Sequence, residues 1–469
     1  MVFSSIPFLY YFLPIVLIAY FLVPRKAKNY VLLLASLFFY FYGEQLLVLL
    51  MLSSALVDYS MARIIEKFRD NKIIPKIALA FTLLFDLGVL CYFKYVDFFI
   101  SNFNAVFGME IPLLKIALPL GISFYTFQTL SYVLDVYRGD VEAQKNFFTY
   151  ATYLTLFPQL VAGPIVRYKT VAHELLYREH SVSKFSQGVF RFSIGMGKKI
   201  MIANMLGEFV NAFSSIQNPT VLLCWLFAAA YSLQIYFDFS GYSDMAIGLG
   251  KMFGFEFNEN FDHPYTSKSI SEFWRRWHMS LGSWFRDYIY IPLGGNRVKF
   301  PRWLLNVFVV WFATGLWHGA SWNFVLWGVY FGVFLVLEKL FLGNLLKKLP
   351  GFVSNAYVII VVFVSFVMFG CMDYLGGFNQ GLQHIASMFG FGGLPFASTN
   401  TLYYLRDYAV VLVLAIIGST PFVKNLANKV VEKYPIAKWA QPVIVVLIFL
   451  LCTAELSDAS FNPFLYFNF

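Results

Sequence analysis

The sequence predicts an all-α polytopic membrane protein of about 10–12 transmembrane helices, with re-entrant and interfacial helices beside them. Three observations carry this. Of 469 residues, 59% are hydrophobic and only 13% charged, whereas soluble domains have about 25% charged residues. Apolar runs of spanning length recur along the chain. The loops between them alternate between Lys/Arg-rich and Lys/Arg-free, as the positive-inside rule requires.

Candidate spans fall near 6–23, 29–43, 45–62, 77–98, 118–137, 303–318, 320–338, 353–371, 402–420 and 439–455. Stretches at 146–163, 186–206 and 219–250 are apolar but interrupted by Gly, Pro and polar groups. They read as re-entrant, broken or tilted segments. Residues 1–7 carry no positive side chain, and no small-x-small site follows the apolar run 8–23. The first helix is therefore expected to be retained rather than cleaved. Arg25, Lys26 and Lys28 follow it. Together with the basic stretches 63–76, 138–302, 339–348 and 424–438, they are expected in the cytoplasm. Residues 101–114 and 372–405 contain no Lys or Arg and are expected outside, with both termini. The net charge of +9 then reports cytoplasmic loops facing anionic lipid or anionic ligands, and no nucleic-acid partner is expected. The four cysteines lie in or beside apolar segments without a C-x-x-C, so buried thiols are expected rather than a disulfide or zinc site.

The most informative stretch is 311–330, WFATGLWHGASWNFVLWGVY. His318 stands alone in an otherwise uncharged run, beside Gly315, Gly319, Ala320 and Ser321 and three tryptophans, Trp317, Trp322 and Trp327. An ionisable group at membrane depth is costly unless it faces protein or a water-filled cavity. It serves either a function or a buried hydrogen bond. The small residues permit close approach of another helix or a substrate.

A second stretch runs from 242 to 296. Ser269 or Ser271 can cap a helix starting near Glu272. Trp274, Trp277, His278, Leu281, Trp284 and Phe285 follow at helical spacing on one face, so His278 is expected to point into protein. Arg275 and Arg286 lie three turns apart on another face, and Pro292, Gly294 and Gly295 end the unit. Between 263 and 302, Lys268, Arg275, Arg276, Arg286, Arg297, Lys299 and Arg302 oppose only Glu272 and Asp287. Such a patch either touches anionic lipid heads or docks a phosphate-bearing donor, whose oxygens suit arginine forks. A metal site is not expected: there is no H-x-x-x-H, Tyr177 stands where a second ligand after His173 would be needed, His180 comes too late, and His263 and His384 are isolated.

At these residues the chain resembles the membrane-bound O-acyltransferases, in particular the bacterial branch of alginate O-acetyltransferase membrane subunits. That branch also includes proteins of peptidoglycan and exopolysaccharide acetylation and the D-alanyl transfer protein of teichoic acids. The stretches that carry it are LFPQLVAGPIVRY (156–168), QIYFDFSGYSDMAIGLGKMFGF (234–255), EFWRRWHMSLGSWFRDYIYIPLGGN (272–296), LWHGASWNFVLWG (316–328) and NPFLYFNF (462–469). Phe157-Pro158-Gln159 and Ser240-Gly241-Tyr242-Ser243-Asp244 fit the alginate-type branch better than the D-alanyl branch.

The resemblance implies one domain over 1–469, with peripheral helices to about 117, a catalytic core over about 118–340 and C-terminal helices with an aromatic tail from about 350. It implies a transmembrane tunnel, with a donor, acetyl-CoA, entering from the cytoplasm and an acceptor reached from outside. No cofactor is expected to be bound. His318 matches the family's essential histidine and His278 the second. Trp274, Arg275, Arg276 and Arg286 become donor-binding candidates. Trp317, Ser321, Asp238, Ser240 and Asp244 become tunnel-lining candidates, although helix–helix hydrogen bonding accounts equally well for the last three.

Acyl transfer from a thioester to a hydroxyl needs a base and a stabilised oxyanion. His318, with an ordinary pKa of about 6.5, suits the base, and His278 suits orientation, polarisation or shared proton transfer. No G-x-S-x-G elbow is present, which argues against a serine acyl-enzyme. Tyr466 is the one phenol in FNPFLYFNF. It reads as an interfacial anchor or, by the resemblance, as an acyl relay to an extracytoplasmic esterase-like partner that acetylates a polysaccharide. The location implied is the bacterial cytoplasmic membrane, in contact with its lipids. Two rival classes remain: a transporter or flippase for a lipid-linked sugar, and a scaffold subunit without catalysis.

Overall fold

A computed structural model describes residues 1–160 and 163–458. Every regular element among them is helical. Among the described residues, six helical segments are long and apolar enough to cross a membrane: Arg25–Lys67, Ile74–Phe107, Val221–Met252, Trp322–Leu346, Gly351–Tyr374 and Pro435–Asp458. A seventh forms if Thr399–Asp407 and Ala409–Gly418, bent by 58°, act as one. The expected spans near 6–23, 118–137 and 303–318 are also helical, as the shorter Phe8–Leu22, the polar-studded Ile122–Arg138 and Phe300–His318. The protein is thus a multi-pass membrane protein.

The described residues pack as two compact units, those within 1–192 with 245–258, and those within 193–244 with 259–458. In the first, Phe8, Phe12, Phe39 and Phe157 form an aromatic core with ring centroids 5.3–6.2 Å apart. The Arg178 guanidinium donates to the Tyr20 hydroxyl at 3.0 Å and to Asn29 Oδ1 at 2.7 Å. Tyr20 in turn donates to the Phe253 carbonyl at 2.9 Å, which secures segment 245–258 in this unit.

Of the readings open for the stretch 219–250, re-entrant and broken do not hold: it is one continuous helix, Val221–Met252. Its glycines are contact points rather than breaks. A Cβ on Gly248 would lie 2.7 Å from the Gly188 carbonyl, and one on Gly241 would lie 2.7 Å from that of Gly195. Glycine there lets the Val182–Gly197 helix approach closely, the small-residue packing used between membrane helices. The cysteines also divide differently: Cys224, Cys371 and Cys452 are buried, but Cys91 is exposed. It sits on the Ile74–Phe107 segment, where a thiol behaves as a small apolar group.

Candidate active site

The second unit carries both histidines of interest. Ser269 is the cap, its hydroxyl accepting from the Glu272 N–H at 3.0 Å. The single helix expected beyond it does not form. A helix Ile270–Arg276 ends, Trp277 is extended, His278 takes a left-handed backbone (φ 45°, ψ 53°), and a new helix Met279–Phe285 begins. Helical spacing survives a two-residue break because both short helices bury the same kind of side chain, so periodicity alone cannot reveal it. The loop at 260–262 supplies the backbone partners at the break: Asp262 N–H donates to the Arg276 carbonyl and Met279 N–H to the Asn260 carbonyl, both at 2.9 Å. Buried Glu338 fastens the start of the pair, accepting from the Ile270 N–H at 2.5 Å and from the Ser271 N–H and hydroxyl at 2.9 and 2.7 Å.

His278 is 1% exposed and packed by the rings of Phe239, Trp317 and Phe261 at 4.6, 5.8 and 6.5 Å. It lies outside the membrane-spanning helices, and burial pushes its imidazole down to about 3, so it is neutral. His318, 2% exposed, is the last residue of the Phe300–His318 helix, boxed by Trp327, Trp317 and Phe369 at 4.8, 5.0 and 5.3 Å. The Trp317 indole thus touches both imidazoles.

The small residues around His318 serve a helix. Phe300–His318 and Trp322–Leu337 form a tight hairpin, in which a Cβ on Gly315 would strike the Phe324 carbonyl and one on Gly328 the Trp311 carbonyl. A Cβ on Gly319 would strike the Phe324 ring. Ser321 precedes the second helix at the turn, half-buried. Gly328→Val should therefore wedge the hairpin open. Overpacking of this kind costs about 1–3 kcal/mol, so the melting temperature in detergent should fall together with activity. A variant that melts like wild type would show the backbones are not in contact there.

A cavity of about 1230 Å³ opens beside these elements. Its wall includes His278, Trp274, Trp303, Trp311 and Thr314, with Lys268, Arg275, Arg286, Lys339 and Lys347 as cations and Glu272 and Glu338 as anions. Of the expected donor residues, Trp274, Arg275 and Arg286 are brought to this wall. Arg276 is not on the wall itself but pairs with the wall residue Glu272 at 2.8 Å and lies near Asp262 at 3.9 Å. His318 and Trp317 lie behind the wall, the latter in contact with His278.

None of the polar residues of Val221–Met252 lines this wall, and its two carboxylates are ion-paired. Asp238 meets Lys199 at 2.6 Å and Asp244 meets Lys198 at 2.7 Å, while Ser240 is buried on the same helix. The sequence offered no sign of these lysine partners, which sit in an apolar stretch. It also missed Asn260, Glu338, Lys339 and Lys347; the first looked like a loop residue, the others like a span end and a basic loop. His180 lies 2.9 Å from the Tyr20 hydroxyl, and His384 lies 3.1 Å from the Cys224 carbonyl. Among the described residues, no group of three or more His, Cys, Asp and Glu side chains could hold a metal ion. Tyr466 lies outside the described residues.

Fold and site together define a helical, multi-pass membrane protein with a large, cation-lined cavity reaching a buried histidine. Residues 143–376 match the family model of the membrane-bound O-acyltransferases. The chain is 38% identical to a Pseudomonas putida protein named "Probable alginate O-acetylase AlgI", over the full length of both. It is 34% identical to a Helicobacter pylori peptidoglycan O-acetyltransferase, across 72% of this chain and 70% of that one. With a Bacillus subtilis teichoic acid D-alanyltransferase it shares 28% identity, across 55% and 68% respectively. The chain belongs to the membrane-bound O-acyltransferase family, and it is an acyltransferase.

Proposed function

We propose that the protein moves acetyl groups from cytoplasmic acetyl-CoA across the bacterial cytoplasmic membrane for O-acetylation of an extracytoplasmic polysaccharide. The observation that carries this is the cavity wall, where five Lys/Arg side chains and His278 line one space large enough for a nucleotide-bearing thioester. Phosphate oxygens suit that cation set. The wall draws on both 268–286 and 339–347, two stretches that the loop charges assign to one side, the cytoplasm, with the N-terminus outside. The named activities of the relatives support acetyl transfer to a polysaccharide.

In this reading His318 is the base. It takes the proton of the attacking hydroxyl as the oxygen bonds to the acetyl carbon. The carbon–sulfur bond then breaks, and the CoA thiolate leaves and recovers a proton. His278 shares the proton work from the cavity side. Trp274, Arg275 and Arg286 hold the donor. The hydroxyl that attacks first belongs to Tyr466, and the acetyl group of the resulting phenyl ester is passed on to a secreted esterase-like partner. A phenol, with pKa about 10, leaves more readily than an alkanol, which suits a carrier.

The test uses the full-length protein in detergent or proteoliposomes. Wild type should release CoA thiol from acetyl-CoA. Tyr466→Phe in cells should keep the protein in the membrane yet remove the polymer's O-acetyl groups. No thiol release by wild type would overturn the enzyme reading, and full polymer acetylation with Tyr466→Phe would overturn the relay.

A further inference from the structure

The loop that carries Asn260 contributes one side chain to the His278 break, and its hydrogen bonds fix more than position. Asn260 is 1% exposed. One terminal atom of its carboxamide lies 3.2 Å from the Ser280 backbone N–H, 2.9 Å from the Ser280 hydroxyl and 3.1 Å from His278 Nδ1. The other lies 3.1 Å from the Ser243 hydroxyl. A backbone N–H can only donate, so the atom facing Ser280 must be the amide oxygen. An amide oxygen can only accept. His278 Nδ1 must therefore carry a proton to bond to it, and a neutral ring then holds its lone pair on Nε2.

We infer that Asn260 is the positioning residue of the site: it holds His278 in the Nδ1–H tautomer, so that Nε2 can accept a proton or hydrogen bond but cannot donate one. This rests on the reading of His278 as part of the acyl-transfer machinery. It narrows that role, because a ring locked this way shares proton work as an acceptor and does not polarise a carbonyl through an Nε2–H. The same residue fixes the backbone. The left-handed φ of His278 is a conformation that side chains with a Cβ rarely adopt. It is spanned by Met279 N–H donating to the Asn260 carbonyl and Ser280 N–H to the Asn260 side chain. One residue thereby sets both where the imidazole sits and which nitrogen bears the proton. Partners that fix the ring of a metal-bound histidine are typically worth about 10–100-fold in affinity or activity, and a loss on that scale is expected for this unmetallated ring.

The experiment combines kinetics with nitrogen NMR of full-length protein labelled at histidine, with the His278 signal assigned by its loss in His278→Ala. Wild type should show His278 protonated at Nδ1. Asn260→Ala should show both tautomers and lower kcat by about 10–100-fold, with KM for acetyl-CoA nearly unchanged. Asn260→Asp, which restores an acceptor, should recover the Nδ1–H form and most of kcat; a merely structural role would not tie rescue to the tautomer. A wild-type His278 protonated at Nε2 overturns the inference even if no variant folds. So does wild-type kcat in Asn260→Ala while His278→Ala is inactive. Full transfer by His278→Ala overturns instead the reading of the site on which the inference rests.

Discussion

His318→Ala should leave a folded, membrane-inserted protein whose acetyl transfer is lower by about 10²–10⁴-fold, the range a positioned general base supplies. The imidazole is packed by Trp317, Trp327 and Phe369. Deleting it leaves an apolar void between three large rings, so some stability is lost as well. Two measurements separate the effects. Melting temperature and detergent extraction report the fold, and the O-acetyl content of the polysaccharide reports the chemistry. His318→Gln fills most of the space without offering a base near neutral pH. It should regain stability but not transfer. A His318→Gln protein that acetylates at the wild-type level would show that this histidine is a packing residue and would favour a scaffold role for the chain.

The reach of the sequence is clearest at the two histidines. A lone imidazole in an uncharged run is visible in composition alone, and His318 is indeed buried at the end of a helix. Its glycines were equally visible, but whether they admitted a helix or a substrate depends on which backbone lies opposite. The answer, the Trp322–Leu337 helix for Gly315 and Gly328, needs coordinates. His278 shows the opposite case. Its inward direction followed from spacing, yet the chain breaks there, because an i, i+3, i+4 pattern records which residues are buried and is blind to two residues leaving the helix. Asn260 had no signal at all. A polar residue in a loop looks the same whether it faces water or closes a hydrogen-bond network eighteen positions away. The same limit hid Lys339 and Lys347 from the cavity and left the continuous Val221–Met252 helix open between re-entrant, broken and tilted readings.

The buried pair Lys199–Asp238 allows a second large effect to be separated into structure and function. Nζ lies 2.6 Å from Asp238 Oδ1 and 2.9 Å from Asn204 Oδ1, with the two side chains 3% and 2% exposed. Removing one partner of such a pair leaves an uncompensated buried charge, which typically costs about 3–5 kcal/mol, whereas replacing both by neutral groups is often close to neutral. Lys199→Met should therefore lower the melting temperature and the yield of membrane-inserted protein sharply. Adding Asp238→Asn should restore most of both. If Lys199→Met alone melts like wild type, the pair is not carrying buried charge. The double variant then decides what Asp238 is for. Regained stability with wild-type acetylation makes the carboxylate a structural link between the Val221–Met252 helix and the segment at 198–204. Regained stability with lost acetylation makes it part of the route taken by the acyl group or the proton, the tunnel role that its place in an apolar stretch first suggested.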